Sequence, residues 1–451
     1  MKDRRRIFVQ IPSYRDPQLI PTLVDLAERA SAPSGIRVVV CWQHGSDEGL
    51  AAFASAGIAL VATDSFDGRV VHSLEIRGVL VELIDVPFLE ARGAGWARSA
   101  AQQRYDGEAY NLQIDAHHRF SNNWDDEMIG MLEALRRHSQ KPLLTGHPPA
   151  FWPDTYPEGR QERPAVMLAD AFTSDGIIRL KAEMFPADRS RGQPWRARFM
   201  SGGFVFSDGT FVHEVPHDPH HFFATEEIVM TVRAYTHGFD LFHPHRPILW
   251  HYYGAQSLKV WDDHTDDLRD RRRIENSVEE RMAASSRRAM SLLGLSDVDE
   301  DADKVFGMGV ERTLQDYERY AGLSFALQGI HKSARLNVEP DESHRGVPDT
   351  DWEAGLLCKR SVRVVITYRR IEHVTIHSAQ VLMETKAGTA VVVHDLSRED
   401  IITLAETSRV ELLYEHSSSP QDLPVAFMVE AVTSHPNAHQ FLSVLAQEIE
   451  N

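Results

Sequence analysis

Hydrophobic positions change period along the chain. Short apolar runs such as Ile7 to Ile11, Ile36 to Trp42 and Val79 to Ile84 alternate with stretches whose apolar residues recur at helical spacing. Leu19, Ile20, Leu23, Leu26 and Ala27 form one such face, in a helix expected to begin at Pro17 with Asp16 suited to cap it. Gly93 to Tyr105 predicts a second helix. Ala109 to Ile114 predicts a further strand ending on Asp115, followed by a helix from Asn123 and a strand from Pro142 to Thr145. Strands alternating with helices are the mark of βαβ units around a mainly parallel sheet, so the N-terminal part is expected to be α/β.

The stretch from Gly45 to Arg69 carries no clear period. From Pro148 to about Arg196 the chain is rich in Pro, Gly and charge, with short strands at Ala165 to Leu168 and Ile177 to Leu180, and reads as a loop-heavy substrate region. An apolar run from Phe199 to Phe206 is interrupted by Ser201-Gly202-Gly203, and Thr225 to Tyr235 predicts a helix opening on two acids. Residues 265 to 294 predict a single charge-laced helix, and Val310 to Tyr320 another. Asn337 to Trp352 is the best linker. Beyond it Val362 to Tyr368, Ala379 to Glu384, Thr389 to His394, Arg409 to Tyr414 and Val425 to Val432 read as strands, with a final helix from Ala438 to Ile449. The division expected is a domain over 1–336 and a smaller β-rich domain over 353–451, which fits a length of 451 residues.

Composition narrows the classes. A hydrophobic share of 42% with 25% charged residues is that of a globular chain, and a formal charge of −18 disfavours general affinity for nucleic acid or anionic membranes. The two cysteines, Cys41 and Cys358, fall in different expected domains, which excludes a disulfide framework. The start, Met1 to Arg6 and then Ile7 to Pro12, is too short and polar-interrupted for a signal-peptide core, and no apolar run suffices to span a bilayer, so a cytoplasmic location is expected.

Candidate chemistry concentrates where strands end, because ligands on open α/β sheets bind at the carboxyl ends of the strands. Asp115 and His117 stand two residues apart, so in extended backbone both side chains point to one side and can chelate one divalent ion. A polar loop whose acid caps a turn has the same sequence. His251, after the apolar run Pro247 to Trp250, offers a third ligand, whereas the irregular spacing of His213, His217, His220, His221, His237, His243 and His245 matches no zinc template. Glu226 and Glu227 stand at a helix start, where they serve either as acceptor-hydroxyl ligand or base, or simply as acids favoured by the helix dipole. Arg92 and Arg98 flank Gly93-Ala94-Gly95-Trp96 at another helix start, a place suited to a diphosphate or to ordinary solvated arginines.

Several of these segments occur together in order: Phe8 to Pro17, Ala91-Arg92-Gly93 with Ala97-Arg98, Gln113 to Phe120 with Trp124-Asp125, Val215 to Pro219, Thr225 to Ile228, and His237 to Asp240 leading to His251-Tyr252-Tyr253. In that order and spacing, over roughly residues 6 to 325, the chain resembles the GlcNAc-transferase family that includes the cytoplasmic hydroxyproline-directed enzymes. The resemblance implies a GT-A (Rossmann-like) nucleotide-sugar-binding domain, followed here by helices and the β-rich segment. It also implies UDP-GlcNAc as donor, a divalent metal (Mn²⁺, with Mg²⁺ as the substitute), and transfer to an acceptor hydroxyl of protein, glycan or small molecule with retention of configuration. Residue by residue it places Asp115, His117 and His251 at the metal, and Ser13, Tyr14, Arg15 and Gln43 near base and ribose. Arg92 and Arg98 fall on the diphosphate side, Gln113 and Asp115 are placed among the nucleotide-sugar-binding residues, and Ser201, Gly202, Gly203, Glu226 and Glu227 toward donor sugar and acceptor. Ala224-Thr225 departs from the glycine-containing approach expected before the double acid. An inverting GT-A transferase using another nucleotide sugar, a non-catalytic GT-A scaffold, and a metal-dependent hydrolase are the competing classes, and the C-terminal segment is a candidate for self-association.

Overall fold

The computed structural model describes residues 6–173, 176–186, 192–254, 258–296, 304–340, 346–370, 373–435 and 442–448. They form two compact units. The first comprises residues through Leu168, Leu180–Tyr317 and Asn337–Pro340, and the second Ala169–Arg179, Glu318–Leu336 and the remainder from Asp341.

The first unit is built on a ten-stranded mixed sheet. Its centre is the strand Ile7–Tyr14, which pairs in parallel with Ile36–His44 on one side and with Tyr110–Ile114 on the other. Val79–Pro87 continues in parallel beyond Ile36–His44. Leaving the central strand in both directions creates the switch point at which the carboxyl ends of neighbouring strands diverge and leave a crevice. The strands are largely apolar because both faces are covered, with Gln10, Arg37, Glu82, Asn111 and Gln113 as buried polar exceptions. Val9 and Ile11 face one core with Leu23, Leu26, Trp124, Met128 and Leu132, while Phe8, Val39 and Cys41 face a second with Ala97 and Ala101. Phe204–Asp208 is inserted antiparallel between Tyr110–Ile114 and Pro142–Thr145, with Phe204 opposite Ile114. That register brings the Ser201 to Gly203 turn beside Asp115.

The expected α/β class and the β-rich second segment are both present, and several local expectations are corrected. The stretch after Gly45 is ordered as the helix Leu50–Ser55 and the strand Ala59–Phe66, which extends the sheet through Arg69–Ile76. Its side chains are almost all exposed, so it carries no apolar period. The single helix expected over 265–294 is two, Asp266–Asp270 and Val278–Leu292. They are separated by Arg272 at φ 54° and by a fresh start at Ser277, which exchanges capping hydrogen bonds with Glu280.

The second unit carries the C-terminal strands. Leu356–Tyr368 pairs with Arg409–Ser418 on one edge, and Ile376–Thr385 lies between Ala390–Asp395 and Pro424–Thr433. Ile366, Val381 and Leu404 are at the centre of its core. Contacts place Glu318–Leu336, which precedes the expected boundary at 336, with this unit, because Gly329–His331 pairs with Leu356 to Cys358. The expected linker holds the helix Asp349–Ala354. Where a final helix was expected, Leu442–Glu448 is a strand paired to Leu356–Tyr368, its neighbours 438–441 and 449 lying outside the described residues.

Candidate metal centre and donor pocket

Three expected ligands converge at the carboxyl end of Tyr110–Ile114. The chain leaves that strand at Asp115 and turns into the short strand His118–Phe120, which pairs antiparallel with Leu249–His251 so that His251 lies opposite His118. This pairing delivers a side chain from 134 residues away to the Asp-x-His segment. One ligand atom from each of Asp115, His117 and His251 lies within 4.8 Å of the others. The two imidazole Nε2 atoms are 3.0 Å apart, and His251 Nε2 is 3.4 Å from Asp115 Oδ2.

The surroundings fit a cation there. His117 Nδ1 lies 2.7 Å from Asp16 Oδ2, a carboxylate that fixes Nδ1 as the protonated nitrogen and turns the Nε2 lone pair toward His251 and Asp115. Burial would raise the Asp115 carboxyl, but the His251 hydrogen bond and the Arg98 guanidinium outweigh it and hold it well below the usual carboxylate range. Burial lowers His251 against the pull of Asp115, so its imidazole stays neutral. A carboxylate with two imidazoles is the donor set a divalent ion of the Mn²⁺ or Mg²⁺ type accepts.

Residues expected at the donor or acceptor form the frame around this set. Arg98 is 3% exposed, and its guanidinium donates to Asp115 Oδ1 at 2.7 Å, to the Gly202 carbonyl at 2.7 Å and to Glu226. These engagements make it a positioning residue for Asp115 and the Gly202 carbonyl. Gln113 is likewise occupied, donating to the Gly202 carbonyl at 2.8 Å and meeting His217 Nε2 at 2.6 Å. Glu227 accepts from Gly202 N at 2.8 Å, and Ser201 Oγ accepts from Gly203 N at 3.3 Å. Burial raises Glu226 despite Arg98, and burial pushes Glu227 up to about 7, with the Gly202 bond opposing and the Glu226 charge adding. Gly203 has no room for a side chain, since a Cβ there would stand 2.9 Å from Asp115 Oδ2.

A pocket of about 270 Å³ opens on the three ligands, lined also by Tyr14, Asp16, Gln43, Phe222 and Trp261. Gln43 donates to the Ser13 carbonyl at 3.2 Å, and Ser13 Oγ is buried with no hydrogen-bond partner. Tyr14 and Arg15 both grip Asp263, the phenol at 2.8 Å and the guanidinium at 2.9 Å, and so pin the helix Val260–Asp263 against the pocket. Arg92 does not line this pocket. Its side chain is exposed and pairs with Glu275 at 3.8 Å. Of the other histidines, His217, His221 and His243 are buried with protein partners.

Sequence reasoning missed two residues here. Asp16 was expected as a helix cap, and its Oδ1 does accept from Gln18 N at 2.8 Å, while its other oxygen holds His117. Asp263 meets Tyr14 from 249 residues away, and no spacing in the sequence announces it.

Strand ends, an acid–imidazole set and a pocket beside them define a glycosyltransferase domain of the GT-A type with a candidate metal site. Residues 6–327 match the family described as Glycosyltransferase (GlcNAc), and the chain belongs to that family. No curated protein sequence matches. Among solved structures, GalNAc-T7 with UDP, GalNAc and Mn²⁺ is similar at 14% identity and a TM-score of 0.43, over 64% of this chain and 48% of that one. S. aureus TarS 1-349 is similar at 11% and 0.35, over 55% and 60%. The Pyrobaculum calidifontis mannosyltransferase PcManGT, with GDP-Man and Mn²⁺, is similar at 12% and 0.31, over 56% and 59%. The chain thus spans about half to three fifths of the length of these proteins. At such scores the family assignment rests on the sequence match.

Proposed function

We propose that this chain transfers GlcNAc from UDP-GlcNAc to an acceptor hydroxyl, with retention of anomeric configuration and with Asp115, His117 and His251 holding a Mn²⁺ ion. The observation that carries the reading is the convergence of one carboxylate and two imidazoles at the sheet's switch point, with Asp16 orienting His117. Bound there, the ion would supply Lewis-acid stabilisation to a leaving diphosphate. Gln43, which lines the pocket at the end of one central strand, offers its side chain to the nucleoside, and Ser13 Oγ is buried with no hydrogen-bond partner. Arg98 fixes Asp115 and the Gly202 carbonyl, so the carboxylate is aimed before donor arrives. Retention requires the acceptor oxygen to approach on the face the UDP leaves, which makes pocket geometry the main demand and leaves no obligatory base.

The Glu227 carboxyl, raised to about 7, favours a second reading in which it takes the acceptor proton in an inverting reaction. The test is UDP release from UDP-GlcNAc with Mn²⁺, with EDTA, and with Asp115→Asn, followed by anomeric NMR of the product. Mn²⁺-dependent release abolished in Asp115→Asn is the result expected. Release that survives both EDTA and that substitution overturns the metal-centred reading, and a product of inverted configuration selects Glu227.

A further inference from the structure

A groove of about 760 Å³ in the first unit lies next to the donor pocket and shares only Phe222 with its lining. Arg69, Arg92, Arg281 and Arg287 line it, with Trp96 on its floor. A second cleft of about 460 Å³ shares Arg69, Arg92 and Arg281 with the first, so the two are continuous, and it adds Arg269, Arg272 and Arg273. Seven arginines therefore face four lining carboxylates, Asp67, Glu90, Glu275 and Glu280, and Arg269 is paired besides with Asp266 and Asp270. On a chain of formal charge −18 this is a local reversal of sign. Arg281 is fixed by donating to the Ala91 carbonyl at 2.7 Å, and burial together with the neighbouring Arg92 charge lowers its pKa, which marks cations crowded together.

The groove also has an address. Phe222 lines both it and the donor pocket, and Arg92 faces the groove while the next two residues, Gly93 and Ala94, face the pocket. A Cβ on Gly93 would lie 2.6 Å from the Phe222 ring, so the partition between the two is one residue thick.

We propose that this groove binds an acidic stretch of polypeptide flanking the acceptor hydroxyl, an inference that rests on the transferase reading above. Charge spacing selects a peptide over a compact polyphosphate. Arg69 is paired with Glu90 at 2.9 Å and Arg269 with Glu280 at 3.0 Å, so resident carboxylates are interleaved with the arginines. Closely packed phosphates would meet these acids, whereas carboxylates spaced along an extended chain can replace them one at a time.

The experiment uses the full chain and a short fluorescent peptide of alternating glutamate and serine, with inorganic pyrophosphate as competitor. Salt-sensitive binding is expected, weakened roughly tenfold or more in Arg69→Glu/Arg273→Glu and strengthened in Glu275→Gln, which removes a resident acid. Thermal unfolding checks that each variant is folded, and acceptor-free UDP release from UDP-GlcNAc should be the same in all of them. Equal peptide binding by the wild type and the double variant overturns the proposal. So does a groove that holds pyrophosphate through these arginines and ignores the peptide. If peptide binding follows the arginines but the wild type releases no UDP, the transferase reading falls and the peptide site remains.

Discussion

Asp16 offers the sharpest test of the metal centre, because it touches the candidate ligand set through a single bond. Its Oδ2 lies 2.7 Å from His117 Nδ1 and its Oδ1 accepts from Gln18 N. Asp16→Asn keeps size and shape. The amide oxygen can still serve Gln18 N, but that turns the NH₂ toward His117 Nδ1, and a donor facing Nδ1 favours the tautomer protonated on Nε2. The proton then occupies the lone pair directed at His251 and Asp115. Loss of such an orienting partner costs about 10- to 100-fold in metal affinity, or about 1.4 to 2.7 kcal/mol. Isothermal titration with Mn²⁺ and initial rates of UDP release across a Mn²⁺ series measure it. The apparent Mn²⁺ constant should rise by roughly that factor, with much of the rate restored at saturating ion. A folded Asp16→Asn protein with wild-type Mn²⁺ dependence would falsify the role assigned to Asp16. A lowered melting temperature without rescue by Mn²⁺ would reduce it to a helix-start residue.

Gly203→Ala should lower activity about 100-fold while the melting temperature changes little, because its Cβ would push on Asp115 Oδ2; near-normal turnover in this variant would show that the carboxylate need not stay where it is. Arg98→Ala strips the partner from buried Glu226 and from Asp115 and should cost about 3 to 5 kcal/mol in urea unfolding, against an idle interaction if the loss is below about 1 kcal/mol. Glu227 makes a pH prediction of definite sign. Its folded pKa of about 7 is above the usual glutamate value near 4.3, so between those limits the folded chain binds the extra proton and this group's contribution to stability falls as pH rises. Glu227→Gln should remove that slope, seen as a smaller drop in melting temperature from about pH 5 to about pH 7.5, and an identical drop in both proteins would refute the buried, raised carboxyl.

The parts of the architecture legible in the sequence were those whose partner lies nearby or whose burial is uniform. Val38 to Trp42 is apolar throughout because both sheet faces are covered, and the pattern reports that directly. Ser277-x-x-Glu280 was equally readable as a helix start, yet the long charge-laced stretch around it suggested one continuous helix. Ala59–Phe66 escaped for the opposite reason: its side chains are almost all exposed, so strand pairing leaves no trace in hydrophobicity. The β character of Leu442–Glu448 is a tertiary fact, supplied by its long partner Leu356–Tyr368.

The same distinction separates the ligands from their supports. Asp115, His117 and His251 are legible because metal-binding chemistry restricts residue type and strand ends restrict place. Arg98 was also singled out, but as a phosphate contact; in the fold its two terminal nitrogens donate to Asp115, Glu226 and the Gly202 carbonyl, while its buried Nε has no hydrogen-bond partner. Tyr14 and Arg15, singled out near base and ribose, are both bound to Asp263. A charged residue's role depends on which acceptors reach it first, and those acceptors come from segments 17, 104 and 249 residues away. Arg92 is the counterexample that sharpens the rule: among the described residues its ionic partner is an exposed glutamate at 3.8 Å and its own side chain is exposed, so the arginine groove keeps a charge that the interior of the site neutralises internally.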